Sequence, residues 1–341
     1  MIEKLEIDLN KKRENKTKDI VKRIGVITPN RIFLENFPLK NPITSFNPSC
    51  ILENEILILY TRIILGYYAY VSSIAEIKIP IEDLENISKN YYNGKIVVFP
   101  ENRYDIYGCE DPRTSKLDNK MYMVYAGRTV SYFDPNAKYE KTLPIISVYE
   151  NSWKKKYVIK IKSFPNKSII SDKDAFLFKL REDYYIFHRP HIDNNFYLFI
   201  SKLGRLDFEG ELKEIYPKNS ILVLEPAKFE TKIGWGTPLL KIDKEYIAFL
   251  HALDKDKIAY RVFAMLFDKD LHPISVTPYY IMEPKENYEK FGDRPFVVFP
   301  CGICKIDDKI IITYGSADFA IGIGEVDISE ILSILDKNKI E

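Results

Sequence analysis

An all-β, five-bladed β-propeller is the fold class this sequence predicts. Three features predict it: a unit repeated five times at near-constant spacing, a pair of apolar strands opening each unit around a charged turn, and a strand-rich second half to every unit. The copies read NPSCILENEILILYTR, EDPRTSKLDNKMYMVYAGR, KDAFLFKLREDYYIFHR, GTPLLKIDKEYIAFLHA and FPCGICKIDDKIIITYGSAD. Their return strands end at Tyr60, Tyr125, Phe187, Leu250 and Tyr314, which by subtraction are 65, 62, 63 and 64 residues apart. Two hairpins per unit is what a four-stranded blade requires, whereas helical solenoids repeat at roughly 33 to 47 residues.

The outer half of each unit is rich in β-branched and aromatic residues, at Tyr68 to Ile79, Leu143 to Tyr149, Phe196 to Ser201, Ala259 to Phe267 and Phe319 to Val326. The five units leave no linker, so the length divides into an N-terminal extension (1–30), one propeller domain (31–326) and a C-terminal tail (327–341). Within the tail, Ile328 to Leu335 carries helical spacing.

Composition narrows the class. The chain is 46% hydrophobic and 29% charged with a formal net charge of +1, so the lysine-rich stretches at Lys11 to Arg23 and Lys154 to Lys162 are expected to be solvated faces rather than a nucleic-acid footprint. The charged opening Met1-Ile2-Glu3-Lys4 lacks an apolar signal core and no run of 18 apolar residues follows, so a cytoplasmic protein without a membrane partner is expected. Cys50, Cys109, Cys301 and Cys304 lie in or beside inner strands and read as reduced core residues.

In an antiparallel hairpin the start of one strand lies beside the end of the next, so both polar clusters of each copy reach the same face of the disc. That mouth is expected to hold Asn47 and Arg62 from the first copy, and Glu110, Asp111, Arg113 and Arg128 from the second. Lys173, Asp174, His188 and Arg189 come from the third, Trp235, Thr237 and His251 from the fourth, and Asp318 from the fifth. The opposite ends, such as Glu53-Asn54-Glu55 and Asp118-Asn119-Lys120, are ordinary surface turns.

Carboxylates together with an excess of cations suit a polyhydroxylated substrate and an anion, and Trp235 is a candidate stacking platform. The histidines lack a short-spaced partner and the many cations would repel a divalent ion, so no metal is expected. No nucleophile elbow, P-loop or dinucleotide fingerprint is present.

Taken in order, Gly108-Cys109-Glu110-Asp111-Pro112-Arg113, Lys173-Asp174-Ala175, His188-Arg189-Pro190, Gly234-Trp235-Gly236-Thr237-Pro238 leading to His251, and Val298-Phe299-Pro300-Cys301-Gly302 leading to Gly315-Ser316-Ala317-Asp318 resemble glycoside hydrolase family 130. Its members are five-bladed propellers that include mannoside phosphorylases and some β-mannosidases. The resemblance implies that Asp111 is the general acid, its proton travelling through a hydroxyl of the bound mannose, and that Asp318 holds that mannose. It also implies that Arg128, Lys173 and His188 cradle phosphate. The sequence departs from the family pattern at Leu250-His251-Ala252, where Tyr-His-Gly is more usual, and at Tyr125-Ala126-Gly127-Arg128.

Three readings remain: an inverting phosphorylase releasing mannose 1-phosphate, an inverting glycosidase, and a propeller that only binds carbohydrate. Hydrolysis needs a second carboxylate to activate water, whereas phosphate arrives anionic and needs cations, so the cation excess favours the first. The expected partners are an oligosaccharide and inorganic phosphate as co-substrate, with no cofactor, and assembly into a homo-oligomer is left open.

Overall fold

Inner strands that are apolar on both faces must be covered on both sides, and a closed ring of sheets does this for every blade at once. The computed structural model describes residues 2–5, 8–162 and 168–340, and its strands form five such sheets. The first blade is Thr44–Glu53, Ile56–Ile64, Ser72–Pro80 and Tyr92–Val98. The second is Cys109–Leu117, Lys120–Arg128, Thr142–Tyr149 and Trp153–Ile159. The third is built on Ile169–Leu180, Asp183–Ile192, Leu198–Gly204 and Lys218–Leu224. The fourth is built on Glu230–Trp235, Glu245–Asp254, Tyr260–Phe267 and Pro273–Val276. In the fifth, Val298–Ile306, Lys309–Ser316 and Ala320–Asp327 are joined by Lys22–Ile27.

Alternation along each return strand divides its side chains between two neighbours. In the first blade, Leu57, Leu59 and Ile63 pack with Cys304, Ile311 and Ile323 of the fifth, while Ile58 and Tyr60 pack with Met123, Tyr125 and Ile145 of the second. Three further clusters fill the remaining junctions between blades. All four cysteines are buried free thiols. The hairpin turns at Asn54-Glu55 (φ 49° and 59°) and Asp118-Asn119 (φ 47° and 62°) have left-handed backbone at both central positions, the geometry that matches strand twist.

The N-terminal boundary differs from expectation. Residues 1–30 were expected to lie outside the propeller, yet Lys22–Ile27 pairs antiparallel with Ala320–Asp327 and closes the ring between the two ends of the chain. Ile2–Lys4 pairs with Lys218–Leu224 of the third blade, Thr17 bridges Tyr280 beside the fourth, and Ile32–Leu34 pairs with Tyr92–Val98 of the first. The N-terminal segment is thus a belt along the outer edges of several blades. The helix Ile328–Asp336 follows Ala320–Asp327, the third strand of the fifth blade, is capped by Asp327, and buries Ile331 and Leu335. Among the described residues no helix is long and apolar enough to cross a membrane.

Arg23 anchors the belt. It donates to the buried carboxylate of Glu289 at 2.9 Å and to Asp19 at 2.6 Å, and Glu289 also accepts from Tyr314 at 2.7 Å. Replacing Arg23 by Ala leaves Glu289 buried without its cation, so urea unfolding is expected to show a loss of roughly 3–5 kcal/mol.

Candidate active site

The mouth residues are aimed by the backbone. In each of the first three blades the opening strand carries a bulge, with the register shifting between Phe46 and Ser49, between Glu110 and Arg113, and between Lys173 and Phe176. Within those bulges sit Asn47 (φ 51°), Asp111 (φ 50°) and Asp174 (φ 52°). An extra residue in left-handed conformation turns the chain sharply, and Asn and Asp tolerate that conformation better than other side chains bearing a Cβ. The fifth blade reaches the mouth differently, through the turn Ala317-Asp318 (φ 50° and 48°) after its return strand.

Asn47, Asp111 and Asp318 meet in a cavity of about 160 Å³. Asn47, Arg62, Asp111, Arg128, Lys173 and Asp318 line it, as do Tyr70, Tyr132, Lys232, Tyr260, Arg294 and Phe299. The Asp111 carboxylate accepts from Asn47 Nδ2 at 2.7 Å and from Arg62 at 3.1 Å. Arg62 also donates to Tyr132 at 3.0 Å, and the Tyr132 hydroxyl donates to Glu110 at 2.6 Å. Arg128 lies over the Tyr132 ring, 3.3 Å from its centroid. Glu110 therefore stands behind the lining, where it fixes Tyr132 and pairs with Arg62 at 3.2 Å.

Five cations and two carboxylates line the cavity, and their fields act differently on each group. Burial alone would push the Asp111 carboxyl up, but Arg62, Lys173, the Asn47 hydrogen bond and Arg113 outweigh it and hold it below its ordinary value. Burial dominates at Asp318, reinforced by the Asp111 charge, and pushes it up to about 6 even with Arg62 and Arg294 nearby. Burial together with Lys173 and Arg189 brings the Lys232 ammonium down to about 7. Asn47 Oδ1, Arg62 Nε and Arg128 Nε are buried without a hydrogen-bond partner.

Below this floor lies a second polar layer. Arg113 donates to the carbonyls of Asp111 (2.9 Å), Gly236 (2.7 Å) and Trp235 (2.9 Å) and reaches Asp174 at 3.5 Å. Asp174 accepts from Arg189 at 2.7 Å and faces His251 Nε2 at 3.4 Å. Burial brings the His251 ring down to about 4 although Asp174 opposes it, so the imidazole is neutral near pH 7. This close approach requires Gly234, because a Cβ there would collide with both His251 and Asp174. Of the mouth residues expected from sequence, Glu110, Arg113, Asp174, Arg189 and His251 are thus brought to the site but lie outside the cavity lining.

Two placements correct the sequence expectation. His188 was expected to face a phosphate, but both ring nitrogens are occupied inside the third blade, Nδ1 by Asp172 at 2.7 Å and Nε2 by Ser201 at 2.8 Å. Trp235 was expected as a stacking platform, but it is fully buried against Phe176, Phe187 and Phe267, and its indole N–H donates to the His188 carbonyl at 3.1 Å. Both errors share one cause: membership in a terminal polar cluster does not specify the side of the strand to which a side chain points.

Three of the unforeseen lining residues come from two sources. Tyr70 and Tyr132 lie in the connections between the second and third strands of their blades, which open onto the same face. Lys232 lies in Glu230–Trp235, which extends the fourth blade's opening strand upstream of the Gly234-Trp235-Gly236-Thr237 motif. An isolated lysine between Thr231 and Ile233 was the one available signal.

A five-bladed propeller with an acid, a ring of cations and a small polar cavity on its axis is the architecture of a carbohydrate-active enzyme. The sequence model of glycoside hydrolase family 130, described as β-1,4-mannooligosaccharide phosphorylase, matches residues 11–337, and the chain belongs to this family. It is 32% identical to 1,2-β-oligomannan phosphorylase of Thermoanaerobacter sp. (strain X514) over 70% of this chain and 74% of that protein. Identity to a β-1,2-mannobiose phosphorylase of the same organism is 27%, over 68% and 71% of the two chains. Among solved structures, the β-1,2-mannobiose phosphorylase from Listeria innocua, in complex with β-1,2-mannobiose, superposes with a TM-score of 0.69 at 18% identity, covering 93% of this chain and 99% of that one.

The interior position of His188 generates a test. His188→Ala removes a partner from buried Asp172 and is expected to destabilise the fold by about 1–3 kcal/mol. The KM for phosphate should stay within about twofold of wild type, whereas a phosphate ligand would show a rise on the order of tenfold or more.

Proposed function

We propose that the protein catalyses inverting phosphorolysis of β-mannosides, converting a mannosyl oligosaccharide and phosphate to mannose 1-phosphate and a shortened sugar. The observation that carries this reading is the charge balance of the cavity. Arg62, Arg128, Lys173, Lys232 and Arg294 surround two carboxyl groups, Asp111, held below its ordinary value, and Asp318, pushed up to about 6. Five cations around so small a space suit a nucleophile that arrives already anionic better than they suit neutral water.

In this reading Asp111 is the general acid and Asp318 hydrogen-bonds the mannose. Lys173 and Arg128 bind phosphate, and Lys232 takes the place first assigned to His188. A phosphate oxygen forms the new bond to the anomeric carbon on the face opposite the departing sugar, and the glycosidic C–O bond breaks with inversion. The leaving oxygen takes a proton by way of Asp111, supplied on balance by the phosphate monoanion. Phosphate entering this cavity offsets the cationic field that keeps Asp111 ionised, so binding the nucleophile favours protonation of the acid.

Linkage is the finer part of the reading. The two curated relatives are named for β-1,2-linked mannan and mannobiose, which makes β-1,2-mannooligosaccharides the first substrates to test.

Asp111→Asn retains a side chain compatible with left-handed backbone and loses the proton, so it is expected to stay folded while turnover falls by roughly 10²- to 10⁴-fold. Undiminished activity on an unactivated mannoside would remove Asp111 from its role. Release of free mannose at full rate in phosphate-free buffer would move the protein to hydrolysis.

Lys232 supplies a second test. Its ammonium is charged below about pH 7 and neutral above it in the empty protein, so its contribution to phosphate binding is present at low pH and weakens as pH rises through that value. Lys232→Arg keeps the charge. The rise in phosphate KM between pH 6.5 and 8.5 in the wild type should therefore flatten in this variant, and identical pH profiles would exclude Lys232 from the phosphate site.

A further inference from the structure

The proposed reaction leaves Glu110 without a task. It is fully buried, lies outside the cavity lining, and meets three groups that each turn a donor toward it: the Tyr132 hydroxyl at 2.6 Å, Arg62 at 3.2 Å and Arg128 at 3.9 Å. All three reach Oε1, whereas Oε2 is buried without a hydrogen-bond partner. A carboxyl met only by donors acts as an acceptor-only carboxylate, so a negative charge sits directly behind two of the five cations that line the cavity.

Neither arginine is therefore free to serve the cavity alone. Arg62 is divided between Glu110 at 3.2 Å and Asp111 at 3.1 Å. Burial works against the Arg62 charge, and of the two carboxylates that sustain it Glu110 contributes more than Asp111. Arg128, a phosphate ligand in the reading above, is drawn toward Glu110 while it lies over the Tyr132 ring, and its buried Nε has no partner. A neutral acceptor could hold the Tyr132 hydroxyl equally well. What only a carboxylate supplies at this position is charge, and that charge competes with any anion the same arginines meet in the cavity.

We infer that Glu110 is a fixed counter-charge behind the phosphate seat: by drawing on Arg62 and Arg128 from the side away from the cavity, it loosens their hold on phosphate and on the Asp111 carboxylate. The inference rests on the phosphorolysis reading above. Glu110 acts through the two arginines and is a positioning residue. Its charge lets the anion leave after each turnover and lets Asp111 take up the proton it must deliver, at the expense of phosphate affinity.

The test is Glu110→Gln, assayed on β-1,2-mannobiose with inorganic phosphate. The amide keeps the shape, still accepts from Tyr132, and can set its NH2 where Oε2 has no partner, while Arg62 keeps Asp111, so no buried charge is stranded. The phosphate KM should fall about tenfold, because the arginines turn wholly to the cavity, and kcat should fall about tenfold, because Arg62 then holds Asp111 more firmly ionised. A residue that merely held Tyr132 in place would give the opposite sign, since displaced arginines raise the phosphate KM. A phosphate KM that is unchanged or raised therefore overturns the inference. Tyr132→Phe breaks the hydroxyl bridge and leaves the Glu110 charge, so its phosphate KM should not fall, and a fall as large as that of Glu110→Gln would assign the effect to the hydroxyl and overturn the inference. If Glu110→Gln does not fold, Glu110→Met, a second uncharged variant of similar length, carries the same expectation. Release of free mannose at full rate without phosphate would instead sink the phosphorolysis reading. Calorimetric titration with inorganic phosphate then still decides Glu110: about tenfold tighter binding in the uncharged variant supports its role, and no gain in affinity overturns it.

Discussion

The site rests on Arg113 and Asp174, a guanidinium and a carboxylate buried where the second, third and fourth blades meet. Asp174 is held far below the ordinary carboxylate range because Arg189, His251 and Arg113 together outweigh the large cost of its burial. Arg113 extends this group into the backbone by donating to carbonyls of the second and fourth blades. Loss of either partner would strand a buried charge, at a cost of about 3–5 kcal/mol. The carbonyl of Asp111 is among those Arg113 holds, so the layer that joins the blades also fixes the backbone of the proposed acid.

The left-handed bulges are the complement of that layer. An unbroken strand would alternate its side chains between the two adjoining blades and leave the axis to whichever residue fell there. One extra residue in each of three opening strands re-aims Asn47, Asp111 and Asp174 while the apolar alternation resumes below. Close packing at the axis then requires that some neighbours lack a side chain. Gly315 faces Asn47 so closely that a Cβ would collide with its amide, as at Gly234 beneath His251 and Asp174.

How much of this was legible in the sequence depended on the kind of signal. Ring number followed from the even spacing of return strands, because every blade must solve the same packing problem. Asn47, Arg62, Asp111, Arg128, Lys173 and Asp318 were found because strand termini share a face by topology alone. His188 and Trp235 were misplaced because that rule says nothing of rotation about the strand. Tyr70 and Tyr132 were hidden among 24 tyrosines, most of which fit blade filling equally well. The belt was missed because Lys22–Ile27 belongs to a repeat begun some three hundred residues later, and local periodicity cannot report a strand paired across the whole chain.

The cavity's electrostatics connect this architecture to chemistry. An acid held ionised by its neighbours is a poor proton donor until their field is reduced, and an anion arriving among the same cations reduces it. Lys232 would shift in the same direction at the same moment: with part of the repulsion from Lys173 and Arg189 offset by phosphate, it would gain its proton as the anion enters. Asp318, already pushed up to about 6 by burial and by Asp111, would be pushed further up by the phosphate charge. A single negative ligand would therefore move three titrating groups toward their protonated states. In the proposed mechanism, the site becomes a proton donor only when its nucleophile is present, which ties cleavage to phosphate rather than to water.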